Sequence, residues 1–252
     1  MDQMPSNTPV MNSKPGPAGW LPVWIKAVTQ PNEQTFVDIT EHPDMNARTA
    51  YIWIFIAGTL SGIIQAFASS IRIATGVGSQ FQQIPGMEQY FPQTTGAGGG
   101  FGISLISGIC ASPLAGLLSI VFFALFTAII QWIAKMFGGT GSYEKLLYAL
   151  AAITVPFTLV SSFLILLGVI PFVGICTGII SFGLAIYSLV LQVMAVKGVN
   201  RFGWGQAAGS VFLPGCAIVF LCGCIVIGGL TLLGPVIGDV FEGINQSLQS
   251  VP

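Results

Sequence analysis

Charge is what this chain has least of. Eight Lys or Arg and nine Asp or Glu are all that 252 residues carry, 7% of the sequence, against roughly a quarter in an ordinary soluble domain. Hydrophobic residues make up 53% and the mean hydropathy is +0.82, so composition alone assigns the chain to the membrane class. A net charge of -1 with no clustered basic face excludes electrostatic nucleic-acid binding. Histidine occurs once, at His42. No apolar run therefore holds a His-Glu-x-x-His motif or a serine-histidine dyad, and none holds a pair of aspartates. Neither metal hydrolysis nor acid-base chemistry at membrane depth is expected, and no catalytic residue, metal site or cofactor is assigned. His42 with Glu41 and Asp44 reads as a solvated polar linker. The five cysteines all fall in apolar runs. Cys222 and Cys224, two apart on a helix, do not face each other, so buried, inert thiols are expected.

Residues 1–19 are polar and rich in Pro, Asn and Ser. They lack the apolar core of a signal peptide, so a disordered tail is expected and the first spanning helix is expected to direct insertion. In 20–48, a juxtamembrane segment, Trp20, Val23, Trp24 and Val28 recur at near-helical spacing, with Pro22 suited to a first turn and Pro31 to a stop. Two readings stay open: a short helix in the headgroup layer, or a loop packed on the bundle.

Apolar length then sets the spans, since about 20 residues cross the hydrocarbon. They fall at about 50–71, 113–134, 143–169, 172–196 and 214–233, within a membrane domain covering 49–234 and followed by an amphipathic tail at 235–252. The fold class is thus all-α, a polytopic integral membrane bundle of five transmembrane helices. In the first span Gly58, Gly62 and Ala66 form a small-residue face for another helix, and Gln65 is expected to bond across to a neighbour. Thr94 to Gly102 is expected to be mobile, and its glycine run lacks the lysine and Ser/Thr of a phosphate-binding loop. Residues 103–111 read as a lead-in, with Ser112-Pro113 opening the second span.

The hinge Lys135 to Lys145 carries Gly138, Gly139 and Gly141, which allow backbone that other residues resist. Pro156 should kink the third span, with Thr154, Thr158, Ser161 and Ser162 satisfying the freed carbonyls. Gly174, Gly178, Ser181, Ala185 and Ser188 stripe the fourth span and should touch a helix within the chain or across a dimer. Lys197 and Arg201 mark the next polar break, and Pro214 the start of the last span.

An odd number of spans puts Lys14, Lys26, Arg48, Lys135, Lys145, Lys197 and Arg201 on one side and Arg72 on the other. The excess marks the cytoplasmic face, so the amino terminus is expected inside and the carboxyl terminus outside a plasma membrane.

Several stretches resemble a known group. Gly138-Gly-Thr-Gly-Ser-Tyr143, Pro156, the run Ala195-Val-Lys-Gly-Val-Asn-Arg-Phe-Gly-Trp-Gly-Gln-Ala207 and Leu213-Pro214 are similar to the bacterial branch of the Yip-one domain family. So is Trp24 to Phe36, and the likeness covers roughly 20 to 233. The resemblance implies five helices and a cytosolic amino terminus. Eukaryotic relatives act in membrane trafficking and bind Rab-type GTPases, but their Asp-Leu-Tyr-Gly-Pro motif has no match here, so no GTPase contact is carried over. A non-catalytic membrane protein follows, organising bilayer or partners through lipid contacts, a homo-oligomer or other membrane proteins. The alternative is a small-solute transporter or channel, built on Gln65, Gln192, hydroxyls and the proline breaks.

Overall fold

With no water in the hydrocarbon, backbone N–H and C=O groups must be satisfied within the segment, and a helix does this without help. The computed structural model, which describes residues 19–42, 45–75, 97–170 and 172–249, follows that rule throughout. Its helices are α1 (Trp20–Thr29), α2 (Glu33–Glu41), α3 (Ala47–Thr75), α4 (Ala97–Met136), α5 (Tyr143–Leu167), α6 (Val173–Asn200) and α7 (Trp204–Gln249). No strand occurs among the described residues. Five segments are long and apolar enough to cross a membrane: Ala47–Thr75, Phe101–Met136, Tyr143–Leu167, Val173–Asn200 and Trp204–Gly229.

Local chemistry sets several ends. The Asn32 side chain accepts from Gln34 N at 3.3 Å to start α2, and Ser142 accepts from Lys145 N at 3.4 Å to start α5. Arg201 closes α6 in the left-handed region, at φ 55°, with its N–H donating to Lys197 O at 2.8 Å. α1 settles the juxtamembrane question as a helix packed on the bundle. Trp20 and Trp24 meet the Trp53 ring edge-on, with centroids 6.0 and 5.5 Å away, and Tyr187 donates its hydroxyl to Val28 O at 2.7 Å.

Two proline boundaries differ from expectation. α4 does not begin at Pro113 but runs through it, and it already includes residues 97–102, where a mobile segment was expected. Pro113 cannot donate to Ile109 O, but the neighbouring Ser112 hydroxyl does so at 2.8 Å, which removes the reason for a break. α7 likewise starts ten residues before Pro214 and continues without interruption to Gln249 instead of yielding a separate tail helix. Its start is fixed by Gln206, whose Oε1 accepts from Gly203 N at 3.0 Å, the reach-back half of a capping box.

At the centre stands α5. Every residue from Leu146 to Ile153 is buried, so this half of the helix is surrounded on all sides, as its unbroken apolar sequence requires. The tightest pairing is α3 against α4. A Cβ at Gly58 would overlap the Ser119 hydroxyl and come within 3.2 Å of Gly116 Cα, and one at Gly62 would lie 3.1 Å from Ser112 Cβ. The small face of α3 therefore meets a matching one on α4, made by Gly108, Ser112, Gly116 and Ser119. Outward faces of α4, α6 and α7 are lined by exposed apolar side chains such as Phe122, Ile179 and Phe220. Leu at Gly58 should destabilise the detergent-purified protein by about 1 to 3 kcal/mol through overpacking. Leu at Gly178, where a Cβ meets nothing within 4 Å, should leave its thermal unfolding unchanged. Equal losses in the two variants would contradict this packing.

Candidate functional site

The glycine hinge and the end of α6 form one assembly. Only Gly138 needs glycine for its backbone, at φ 88°. Gly139 and Gly141 are needed for close approach. A Cβ at Gly139 would lie 2.7 Å from Asn200 Oδ1, and one at Gly141 would lie 2.6 Å from Val199 O. Asn200 fills the space so created. Its carbonyl accepts from Thr140 N at 3.2 Å, and its side-chain Nδ2 donates to Val196 O at 3.1 Å and to Gln131 Oε1 at 3.4 Å. Gln131 Nε2 in turn donates to Gly141 O at 2.7 Å and lies 3.2 Å from Asn200 Oδ1. Both amides are almost wholly buried, at 1% and 5% exposure. Gln206 adds α7 to the assembly by donating from Nε2 to Phe137 O at 3.2 Å.

Charged residues extend this end outward. Lys197, in the last turn of α6, bonds Glu33 at the start of α2 and lies 4.6 Å over the Trp204 ring. Gly198 lets α2 sit down there, since a Cβ would be 2.8 Å from Glu33 O. Arg201 pairs with Glu41 at 3.1 Å and Lys26 with Asp38 at 3.3 Å. Each pair alone contributes about 0 to 1 kcal/mol at such exposure. Together they fix α1 and α2 as a cap over the bundle. Asp44 lies outside the described residues, and among those described no three His, Cys, Asp or Glu come together as a metal would need.

A second feature lies at membrane depth. Between α5 and α6, with Ser61 of α3 contributing, runs a cleft of about 330 Å³ whose walls set seven hydroxyl side chains and Gln192 among apolar residues such as Phe157 and Leu184. Ser162 Oγ lies 2.7 Å from Ser61 Oγ and 2.8 Å from Thr158 O. Among the described residues Gln65 does not bond across to a neighbouring helix. It donates to Ser61 Oγ at 3.0 Å, one turn back on its own helix. α5 stays helical through Pro156, and the hydroxyls near it do not serve Ala152 O, the carbonyl this proline leaves without a donor. The α6 stripe also divides. Ser181, Ala185 and Ser188 line the cleft, Gly174 approaches Gly168 O, and Gly178 faces outward, where a Cβ would meet nothing within 4 Å among the described residues. All five cysteines are exposed rather than buried, on the outer faces of apolar helices.

Gln131 and Asn200 were not singled out from sequence. Asn200 lies within the Lys-Gly-Val-Asn-Arg run, and Gln131 is an amide in an otherwise uncharged apolar stretch, the same signal that Gln65 and Gln192 carry.

Helices, charged cap and spans together define a multi-pass α-helical membrane protein. The family model described as the Yip1 domain matches residues 25–227, most of the chain, and the protein belongs to that family. Neither curated proteins nor solved structures give a match.

Replacing Asn200 by Leu leaves the Gln131 amide buried and half-paired, and should cost about 1 to 3 kcal/mol. Adding Gln131→Leu should cost less than a second full increment, because the two amides act as a unit. Strict additivity in denaturant unfolding would count against the pairing.

Proposed function

We propose that the protein is a non-catalytic member of its family, of bacterial type, that organises membrane components by presenting the α1–α2 cap to partner proteins. The observation carrying this reading is that three ion pairs and a tryptophan cluster tie α1 and α2 to each other and to the bundle, outside the spans. A surface fixed in advance loses little freedom on binding. The spans themselves keep their basic and acidic residues at or near their ends, as with Arg72, Lys135, Glu144 and Lys197. A small-solute transporter or channel is the second reading, and the hydroxyl cleft is the observation in its favour.

For orientation we infer a plasma-membrane protein with its cap in the cytoplasm and its carboxyl terminus outside. The cap end carries Lys26, Arg48, Lys135, Lys145, Lys197 and Arg201, and basic excess favours the cytoplasmic side. A reporter fused after Pro252 should be active outside the cytoplasm, and activity confined to the cytoplasm would reverse the assignment.

Crosslinking pull-down from native membranes tests the platform. A partner captured by the wild type should be lost with Glu33→Lys and recovered when Lys197→Glu restores the pair in reverse. Capture of no protein, or capture indifferent to both changes, would remove the reading.

A further inference from the structure

Serine and threonine in a helix ordinarily turn the hydroxyl back onto a carbonyl three or four residues earlier. Ser162 and Ser188 do so here. Thr154, Thr158, Ser161 and Ser181, which also line the cleft between α5 and α6, do not. Among the described residues none is a hydrogen-bond partner for these four hydroxyls or for the Gln192 amide in the same wall. Polar groups held in an apolar slab without partners are unfavourable, so the cleft calls for an occupant that bonds with them.

Its chemistry is constrained on three sides. Among the described residues no acidic or basic side chain lines the cleft, which disfavours a charged group lacking a counter-ion. Hydroxyls and an amide both donate and accept, which suits a ligand hydroxyl that must do the same. Gln192 also lines a second cavity of about 540 Å³ between α4, α6 and α7, whose other walls, including Phe126, Val211 and Phe220, are almost wholly apolar. A polar seat and room for hydrocarbon therefore share one residue. Gln192 stands five residues before Lys197, about 8 Å of helix rise inside the charged layer, so the occupant is drawn from the bilayer.

We propose that this cleft binds an uncharged, hydroxyl-bearing glycerolipid of the diacylglycerol class, its glycerol hydroxyl against Thr158, Ser161 and Gln192 and a chain along the apolar cavity. The assignment shares no residue with the cap and stands or falls separately from the platform reading.

The test uses the full chain in phosphatidylcholine vesicles doped with a photoactivatable diacylglycerol, with crosslinked peptides mapped by mass spectrometry. Label should concentrate in 154–165 and 181–192 and be displaced by unlabelled diacylglycerol. Thr158→Val combined with Ser161→Ala should reduce it about fivefold or more, the loss of one or two hydrogen bonds, while Thr158→Ser retains it. Unfolding of each variant is followed in parallel, and Gln192→Leu carries the same test if the double variant does not fold. Label spread evenly over the outer faces of α4 and α7 would overturn the proposal. So would cleft label insensitive to folded variants. Displacement by free glycerol but not by diacylglycerol would also overturn it, because the hydroxyl chemistry would then belong to a water-borne solute, as transport requires.

Discussion

Asn200 is the residue on which the arrangement of this molecule turns. It is the last residue of α6, yet it bonds two other parts of the chain, Thr140 in the hinge and Gln131 in α4, and Gln131 in turn donates to the Gly141 carbonyl of the hinge. In a low-dielectric interior such bonds are strong when complete and costly when broken. The hinge glycines follow from this. Gly139 and Gly141 are small because the Asn200 side chain and the Val199 carbonyl occupy the space a Cβ would take. With the α4–α5 connection fixed to the end of α6, the next turn back, at Lys197 and Gly198, becomes a defined seat for α2.

Packing grades away from that end. Leu146 to Ile153 of α5 are closed in on every side, whereas the second half of the helix carries exposed Val160, Phe163 and Ile165 and opens into the hydroxyl cleft. The two halves of one helix thus do different work. Close packing near the cap resists deformation. The looser half leaves room between helices at a depth where only lipid, a solute or another helix can enter.

Much of the architecture was legible because the bilayer reads composition. Runs such as 146–196 contain no charge over twice the length needed to cross, and five spans resulted. The α3 face at Gly58 and Gly62 was legible too, since small residues at four-residue spacing admit a neighbour whatever its identity. The same spacing along α6 says less, because a stripe specifies close approach but not what approaches: Gly174 meets Gly168 O, Ser181, Ala185 and Ser188 border the cleft, and Gly178 faces outward. Proline boundaries at 113 and 214 failed for a local reason. One lost donor does not end a long apolar helix when a serine hydroxyl takes the freed carbonyl, or when a capping glutamine eight residues earlier has already started it. The Gln131–Asn200 pair was out of reach of any local pattern, since 69 residues separate its members.

Two polar systems of opposite character thus occupy one molecule. At the hinge the buried amides and carbonyls are matched to one another, which is what a structural clamp requires. In the cleft, the hydroxyls of Thr154, Thr158, Ser161 and Ser181 stand unmatched among the described residues although carbonyls for back-bonding lie one turn away. If those hydroxyls served only to ease insertion around Pro156, they would be expected to turn inward onto the helix, as Ser162 does. Left without partners, these four hydroxyls add nothing to the fold of the isolated chain and become favourable only when something polar enters. The clamp end therefore accounts for how the bundle holds its shape, and the cleft for why that shape leaves a gap.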